Sequence, residues 1–495
     1  MSEPIRYLLL LTLAAASRFL VLADFTIADL IAPDLQTSFH TSPTALLLAR
    51  NAMPISLAIG IPLAVLLVEK AGLAKTYLAA LACFTGALLI SANANSLDMF
   101  VIGRILQGLS TAVVSSQVFA VLWVFVPSQL LNQGVALVAG VGAVGMAAGP
   151  VLASLGGTGG QWRTIFIVLA LAVSLLIPLA WFSLRRPMQP LSRIPEAGSY
   201  WGGSLFCGAW ALLLTRWPEG SPLDSAWMRS TEVLLLIGLG LWLRNRRQGE
   251  DGPWKSTLFR AGFLIRFALF GAIATPSFFL VLYLRNQVGW SMEQAALMGV
   301  AMSAPMILGI PLSARLLRQI SLPRLTSMCL TLIALAMLGW VWALGFHLVG
   351  LMLLCNGLVG ISIGLLIPAI TSKAMQAAGS CFALQSSGWL VLAEALGPML
   401  GLSSQSNLML FVTSLSWRHA MAEAKLPNAV MAIDLNHIQQ ALPLPNAADQ
   451  AIASQAFLHG LQSIYLCSAL ILLATAFACK KLLKTPMTTP LISSP

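Results

Sequence analysis

The chain has 495 residues, of which 58% are hydrophobic and 9% are charged, and its formal net charge at pH 7 is +11. Soluble domains carry about 25% charged residues, so this composition excludes a soluble enzyme, a disordered chain and a disulfide-stabilised secreted domain. Apolar runs of about 17 to 25 residues recur along the chain. They predict an all-α, multi-pass protein of the cell membrane, either an inner or a plasma membrane.

The apolar runs give about fourteen predicted membrane spans of roughly 20 residues each. In chain order they are Tyr7–Ala32, Thr44–Val68, Thr76–Ala92, Leu97–Val121, Val135–Leu155, Thr164–Leu184, Tyr200–Thr215, Trp227–Leu243, Ala261–Leu284, Ala295–Leu317, Leu325–Phe346, Leu348–Ser372, Phe382–Val412 and Leu458–Cys479. The seventh run is short and the eighth begins with charged residues. Twelve full spans with two interfacial segments is therefore the alternative.

Lysine and arginine residues predict the orientation of the chain. With the N-terminus inside, most of the 28 basic residues fall in inner segments, which is the bias that membrane insertion favours. Both termini are therefore predicted to lie inside, and the net positive charge needs no nucleic-acid partner. The predicted domains are a first group of six spans (1–190), a linker with the two weaker spans (191–258) and a last group of six spans (259–495).

A long outer loop is predicted over residues 413–457, between the last two spans. It mixes proline with polar and apolar residues, which favours a short surface helix over a folded domain. The loop is a candidate contact for a periplasmic adaptor protein in a cell that has two membranes.

Three charged residues lie in the outer third of the predicted spans. At about 1.5 Å of rise per residue, Asp24, Arg50 and Arg104 lie roughly 9 to 14 Å from the outer face. An ionisable group inside a span is costly unless it faces a cavity or a partner, so each is a functional candidate. We predict that Asp24 carries a proton and that Arg104 tunes its pKa. A static ion pair between helices is the alternative interpretation.

Three residues of the outer part of the spans, Arg50 among them, are candidates for contact with substrate. Gln107 follows Arg104 by three residues and shares its helix face. It is predicted to hydrogen-bond the substrate or to relay a proton. A hydrogen bond to a neighbouring helix is the alternative. Asp29 lies about 140° around the helix from Asp24, so the two do not form an acid–base pair. Asp29 is a substrate candidate or an interfacial cap, and Arg50 is a substrate candidate.

Arg18 and Glu394 lie deeper, about 16 to 18 Å from the inner face and near the membrane midplane. Transporter substrate sites usually lie there, at the interface of two halves. Arg18 is predicted to bind an anionic group and Glu394 a cationic group or a proton. A salt bridge between them is the alternative. Arg266, near an inner helix end, is predicted to reach lipid headgroups.

The sequence carries no pattern for a metal, a cofactor or a catalytic set. The 5 histidines lie at or near outer loops without cysteine or carboxylate partners at ligand spacing. A G-x-G-x-x-G string at Gly140–Gly145 lies inside an apolar run, so it predicts close helix packing and not a dinucleotide site. The P-loop motif is absent from the sequence, which excludes ATP-driven transport by this chain alone. The chain is therefore not predicted to be an enzyme.

Three spans carry motifs of a known family. The first contains Asp24-Phe25-Thr26-Ile27-Ala28-Asp29 and ends at Pro33, the fourth contains Gly103-Arg104-Ile105-Leu106-Gln107-Gly108, and the fifth contains Gly145, Gly149 and Pro150. They resemble the L-D-x-T-I-V-N-V-A-L-P, R-x-x-Q-G and antiporter motifs of the major facilitator superfamily, specifically its fourteen-helix drug–proton antiporters. The resemblance implies two six-helix halves with two extra linking helices.

One motif departs from the family pattern. The loop after the second span normally reads G-x-L-a-D-R-x-G-R-R/K, whereas here Glu69-Lys70 and Gly72 remain without the first glycine and the arginine pair. In the family this loop latches the cytoplasmic side, so Glu69, Lys70 and Gly72 are the predicted gating residues.

The resemblance implies proton-coupled secondary export of small amphipathic compounds, as in multidrug efflux. The buried arginines, and Asp29 where the family pattern has asparagine, favour instead a dedicated exporter of an endogenous anionic or zwitterionic metabolite such as a siderophore. Protons, a small-molecule substrate and the lipid bilayer are the predicted partners.

Overall fold

The computed structural model describes residues 3–41, 43–126, 128–155, 162–184, 253–286, 288–379, 382–423 and 447–483. These residues form thirteen α-helices and one 3-10 turn, Pro253–Lys255. The helices are α1 Glu3–Leu30, α2 Ala32–Phe39, α3 Pro43–Ala71, α4 Leu73–Ala92, α5 Leu97–Phe125, α6 Ser128–Leu155, α7 Trp162–Leu184, α8 Thr257–Asn286, α9 Met292–Gln319, α10 Leu322–Gly345, α11 Val349–Ala378, α12 Ala383–Glu423 and α13 Ala447–Leu482.

The all-α, multi-pass membrane prediction is confirmed. Among the described residues, nine helices are long and apolar enough to cross a membrane by length and composition. Only α2 is short among the helices listed above, so six long helices precede the segment 185–252 and six follow it. Following the predicted orientation, the end of the bundle that holds the start of α1 is called the inner end here.

Local sequence signals determine where several helices begin. Ser96 precedes α5, and its side chain accepts a hydrogen bond from the Met99 amide at 3.2 Å. Ser291 and Gln294 form a capping box at the start of α9. Gly72 separates α3 from α4 with a φ of 80°, which a residue without a side chain adopts at little cost. The predicted gating glycine is therefore also the turn residue of an inner helix hairpin.

The helices pack in two groups of six long helices, α1 and α3–α7 in the N-terminal half and α8–α13 in the C-terminal half. Within the first half, α1 packs on α6 and α3 packs on α5, and within the second, α9 packs on α11 and α8 on α12. The two halves meet where α6 contacts α9 and α11, and where α12 contacts α3 and α5.

Small residues bring α1 and α6 together. A Cβ added at Gly145 would lie 2.8 Å from the Phe19 Cα, and one added at Gly149 would lie 2.8 Å from the Ala23 carbonyl oxygen. The Thr26 hydroxyl donates to the Met146 carbonyl at 2.9 Å. The two motif glycines thus let α1 and α6 approach closely enough for the Thr26 side chain to bond to the backbone of α6.

The two predicted linker helices, Tyr200–Thr215 and Trp227–Leu243, lie outside the described residues, so the choice between twelve and fourteen spans stays a prediction. At the outer end, α12 continues to Glu423 and α13 begins at Ala447. The described helices therefore extend from both sides into the segment 413–457 that the sequence predicts as one loop.

Candidate functional site

Asp24 and Arg104 form a fully buried ion pair inside the N-terminal half. Arg104 Nη1 lies 3.1 Å from Asp24 Oδ1. The same nitrogen donates to Gln107 Oε1 at 2.7 Å, and Nη2 contacts Met53 Sδ at 2.9 Å. Gln107 Nε2 in turn donates to Ser91 Oγ at 3.2 Å. The pair and its neighbours therefore connect α1, α3, α4 and α5.

Two glycines next to this pair let the neighbouring helices approach. A Cβ on Gly103 would lie 3.1 Å from the Ser91 amide nitrogen, and a Cβ on Gly108 would lie 3.0 Å from the Leu57 amide nitrogen. Because both positions lack side chains, α4 and α3 pack close enough for their side chains to reach Arg104 and Gln107. The G-R-x-x-Q-G motif therefore supplies both the polar groups and the space around them.

A second charged cluster lies at the interface of the halves. Glu394 on α12 forms ion pairs with Arg18 on α1 and with Arg266 on α8, and Arg266 also donates a hydrogen bond to the Thr371 hydroxyl on α11. Arg18 is 1% exposed, Arg266 0% and Glu394 5%. One carboxylate is thus shared by two guanidinium groups, one from each half.

The position of Arg18 depends on the glycines of α6. A Cβ on Gly142 would lie 2.6 Å from Arg18 Cγ, so a larger residue would displace the side chain. The Arg18 guanidinium also lies 6.0 Å from the centroid of the Phe119 ring. The G-x-G-x-x-G string therefore serves helix packing and also makes room for a buried charge.

The structure corrects the prediction for Arg266. Its side chain is fully buried and paired with Glu394, so it does not reach lipid headgroups. The apolar run places the helix start at Ala261, whereas α8 begins at Thr257, and Arg266 is consequently deeper than its position in the run indicates. The face of α8 on which it lies also points to the bundle interior, which a hydropathy pattern does not reveal.

A small cavity lies beside the Arg18–Glu394 pair. Its lining residues are Arg18, Val21, Leu22, Phe25, Leu57, Thr111, Ser115, Met146, Val391, Glu394 and Ala395. The lining comes from both halves and is largely apolar, with its charged groups at one wall. Thr111 and Ser115 are polar lining residues that the sequence analysis did not single out. On α5, Thr111 lies two turns beyond Arg104 and one beyond Gln107, and Ser115 lies one turn further. This helical spacing is the signal that marks them.

The halves contact each other on both sides of this cavity. Towards the inner end, the Ser387 hydroxyl donates to the Ser115 carbonyl at 3.2 Å, and a Cβ on Gly388 would lie 3.2 Å from Ile61 Cγ2. Towards the outer end, the Arg50 guanidinium lies 4.9 Å from the centroid of the Phe278 ring. The two halves are therefore in contact towards both ends of the bundle, and this arrangement of the halves is termed the closed state.

Asp34 and Arg285 interact at the outer end. Asp34 belongs to the short helix α2, and Arg285 lies in the last turn of α8. Burial raises the pKa of the Asp34 carboxyl, and the positive charge of Arg285 opposes that rise. This electrostatic contact also joins the two halves.

The structure does not bring all predicted site residues together. Arg50 contacts the Phe278 ring of the other half, whereas Asp24 and Arg104 pair within the N-terminal half. Lys70 is exposed on α3. The side chains of Asp29, Glu69 and Pro150 lie outside the part of the chain whose side chains are described. No group of three or more metal-ligating side chains occurs among the described residues.

An all-helical bundle in which two groups of six long helices enclose a central charged cavity defines the class of membrane transporters that work by alternating access. The Major Facilitator Superfamily model matches residues 14–402, and the chain belongs to this family of transporters, which are not enzymes.

Relatives at the sequence level include named resistance proteins. The tetracenomycin C resistance and export protein of Streptomyces glaucescens is 25% identical over 428 residues, 83% of this chain and 78% of that protein. The multidrug resistance protein Stp of Mycobacterium tuberculosis is 25% identical over 485 residues, 92% of this chain and 88% of its own.

Solved structures share the fold. The human organic anion transporter MFSD10 (TETRAN) superposes with a TM-score of 0.61 at 14% identity, covering 96% of this chain and 99% of that chain. The xylose transporter XylE from E. coli gives a TM-score of 0.58 at 13% identity, covering 96% and 97%. At these identities the likeness concerns the fold alone.

Proposed function

We propose that this chain is a proton-coupled exporter of small amphipathic compounds, of the fourteen-helix drug–proton antiporter type. The observation that carries the proposal is the buried Asp24–Arg104 pair within the N-terminal half. The names of the two relatives above, a resistance and export protein and a multidrug resistance protein, support the same assignment.

Asp24 has the chemistry of a reversible proton carrier. Its Oδ2 is buried and has no hydrogen-bond partner among the described residues, so it is the atom that accepts the proton. Burial favours the neutral form of a carboxylate, and a nearby cation favours the charged form. Arg104 keeps its contacts with Gln107 and Met53 when Asp24 is protonated, so the arginine is not left unpartnered. Both protonation states are therefore accommodated by the same surroundings.

The central cavity is the proposed substrate site. Its walls are mostly apolar and its charged groups lie at one end, an arrangement that matches an amphipathic molecule with one polar head. Arg18 and Glu394 line the cavity and are the proposed primary contacts. Gln107, Asp29 and Arg50 are proposed as contacts on the path towards the outer end.

Proton release from everted membrane vesicles tests this proposal. A pre-formed pH gradient is challenged with amphipathic compounds, lipophilic cations and lipophilic monoanions in separate assays, in vesicles that contain the wild type or Asp24→Asn. We expect the wild type to collapse the gradient and Asp24→Asn not to do so. Asp98→Asn is the matched control, because Asp98 is exposed in the first turn of α5. Full proton-coupled transport by Asp24→Asn would remove Asp24 from the mechanism.

A dedicated exporter of an anionic or zwitterionic metabolite, such as a siderophore, is the second candidate. The sharing of one Glu394 carboxylate by Arg18 and Arg266 favours it, since the cluster has an excess of positive charge. The vesicle experiment separates the two candidates when polycarboxylate metabolites are tested in parallel. Collapse of the gradient by the polycarboxylates alone would favour the metabolite exporter. A periplasmic adaptor at residues 413–457 remains part of either proposal.

A further inference from the structure

The charges of the central cluster do not balance. Two arginines and one glutamate are buried together, which leaves one positive charge in excess. Apart from Arg18 and Glu394, the described residues that line the cavity are all uncharged. The Nε and Nη1 atoms of Arg18 are buried and have no hydrogen-bond partner among the described residues. The cluster therefore offers unused donors as well as unbalanced charge.

An unbalanced charge near the membrane midplane is costly, and a ligand that cancels it is favoured. A monoanionic head brings the cluster to neutrality, whereas a neutral ligand leaves the excess and a cation doubles it. Carboxylates form charge-assisted hydrogen bonds with two adjacent nitrogens of one guanidinium. Arg18 offers such a pair when Nη2, which contacts Glu394, is used together with the unpartnered Nε or Nη1.

We infer that the cavity binds the monoanionic head of an amphipathic ligand at Arg18, and that Arg266 is the positioning residue that keeps Glu394 paired when the ligand takes its place on Arg18. The inference rests on the proposed function for the existence of a transported ligand, and it names the class of that ligand. It also gives a role to Arg266, which the apolar pattern of the sequence alone places at the lipid surface.

The arrangement of the helices supports this exchange. Arg266 and Glu394 belong to the same half, on helices α8 and α12 that pack together, and the hydrogen bond to Thr371 anchors Arg266 to α11. Arg18 belongs to the other half. When a ligand carboxylate replaces Glu394 on Arg18, two neutral pairs result, one in each half.

This exchange has a mechanical consequence. The Arg18–Glu394 pair joins the two halves in the closed state, whereas the Arg266–Glu394 pair lies within one half. Ligand binding therefore removes an attraction between the halves without leaving a buried charge unpaired. The closed state is weakened only when the ligand carries the right charge.

Binding to purified protein in detergent tests the inference without any proton gradient. The probes are pyrenebutyrate, a monoanion, and pyrenebutanol, its neutral analogue of similar size, and the readout is pyrene fluorescence on titration. We expect the wild type to prefer the butyrate at least about tenfold, the change that one charged hydrogen-bonded contact is worth. Arg266→Gln is expected to lose this preference, although Arg18 is intact, because Glu394 then has no other cation and stays on Arg18.

The decisive variant is the double substitution Arg266→Gln with Glu394→Gln. It leaves Arg18 as the single charge of the cluster, so preference for the butyrate is expected to return. A merely structural role of Arg266 would not be rescued by a second substitution. Arg315→Gln is the control, because Arg315 is exposed on α9.

Equal binding of the two probes by the wild type, or an Arg266→Gln variant that keeps the preference, would overturn the inference. So would a double variant that folds, as judged by its elution volume and melting temperature, but binds like Arg266→Gln. The proposed function fails in a different experiment. Its failure appears as an absence of proton release in the vesicles, and this does not depend on the result of the binding assay. Transport of lipophilic cations without any charge preference in binding would leave the proposed function standing and the inference refuted.

Discussion

Arg18 on α1 and Glu394 on α12 form a buried ion pair that crosses the interface of the two halves, whereas Asp24 and Arg104 form one that stays within the N-terminal half. The first pair must be rearranged when the halves separate, and the second need not be. We therefore propose different tasks for the two pairs, substrate-linked movement for the first and proton binding for the second.

The ion pair between the halves predicts that Glu394→Gln makes the cavity between the halves more accessible. The substitution removes the attraction between halves and leaves two like charges, Arg18 and Arg266, in the interface. We expect a cysteine introduced at the cavity residue Ser115 to react faster with a thiol reagent in Glu394→Gln than in the parent, both in a background without native cysteines. Equal labelling rates would show that the pair does not hold the halves closed.

The pair within the N-terminal half predicts strong coupling between Asp24 and Arg104. Arg104→Gln leaves a buried carboxylate without its cation, and breaking a buried pair in this way costs about 3 to 5 kcal/mol. We expect the double variant Asp24→Asn with Arg104→Gln to be less destabilised than Arg104→Gln alone. A thermal-unfolding double-mutant cycle measures the difference, and additive effects of the two substitutions would argue against a direct interaction.

Replacing glycine by alanine is expected to have opposite effects on stability at Gly149 and at Gly86. In Gly149→Ala the new Cβ would lie 2.8 Å from the Ala23 carbonyl oxygen, so α1 and α6 must separate and the melting temperature is expected to fall. At Gly86 an added Cβ meets nothing within 4 Å, and Gly→Ala in an open helix position stabilises by roughly 0.5 to 1 kcal/mol. Thermal unfolding of both variants checks this, and a fall at both sites would contradict it.

The outer contact between Asp34 and Arg285 predicts a pH-dependent stability. Because burial raises the pKa of Asp34 in the folded state, its contribution favours folding below the unfolded pKa, about 3.9, and is lost as the pH rises through the folded pKa. Arg285→Gln removes the charge that opposes this rise. We expect the melting temperature of Arg285→Gln, relative to the wild type, to fall more at neutral pH than near pH ~4.

The control for this outer contact is the double variant Asp34→Asn with Arg285→Gln. It has no titrating group at the contact, so the difference between the two pH values is expected to disappear. A difference that persists in the double variant would assign the pH dependence to another part of the protein.

Much of the fold follows from local properties of the sequence. Apolar runs long enough to span a bilayer allow only helices, because backbone groups in lipid must be satisfied within the segment. Helix starts at Ser96 and Ser291 and the hairpin turn at Gly72 are likewise local signals. Burying a charge is costly, and this alone makes four residues candidates for the functional site without any knowledge of their neighbours: Asp24, Arg104, Arg18 and Glu394.

The tertiary structure decided which of these charges meet. A sequence gives the depth of a residue along its helix, but it does not give the helix that packs against that residue. Arg266 shows the limit. The apolar run begins at Ala261 and therefore gives too shallow a depth for it, and its partner Glu394 lies 128 residues further along the chain. Arg50 shows the converse, since it shares the depth of Asp24 and Arg104 but faces Phe278 of the other half. Only packing in three dimensions determines the face of each helix, and therefore whether two charges at the same depth are partners.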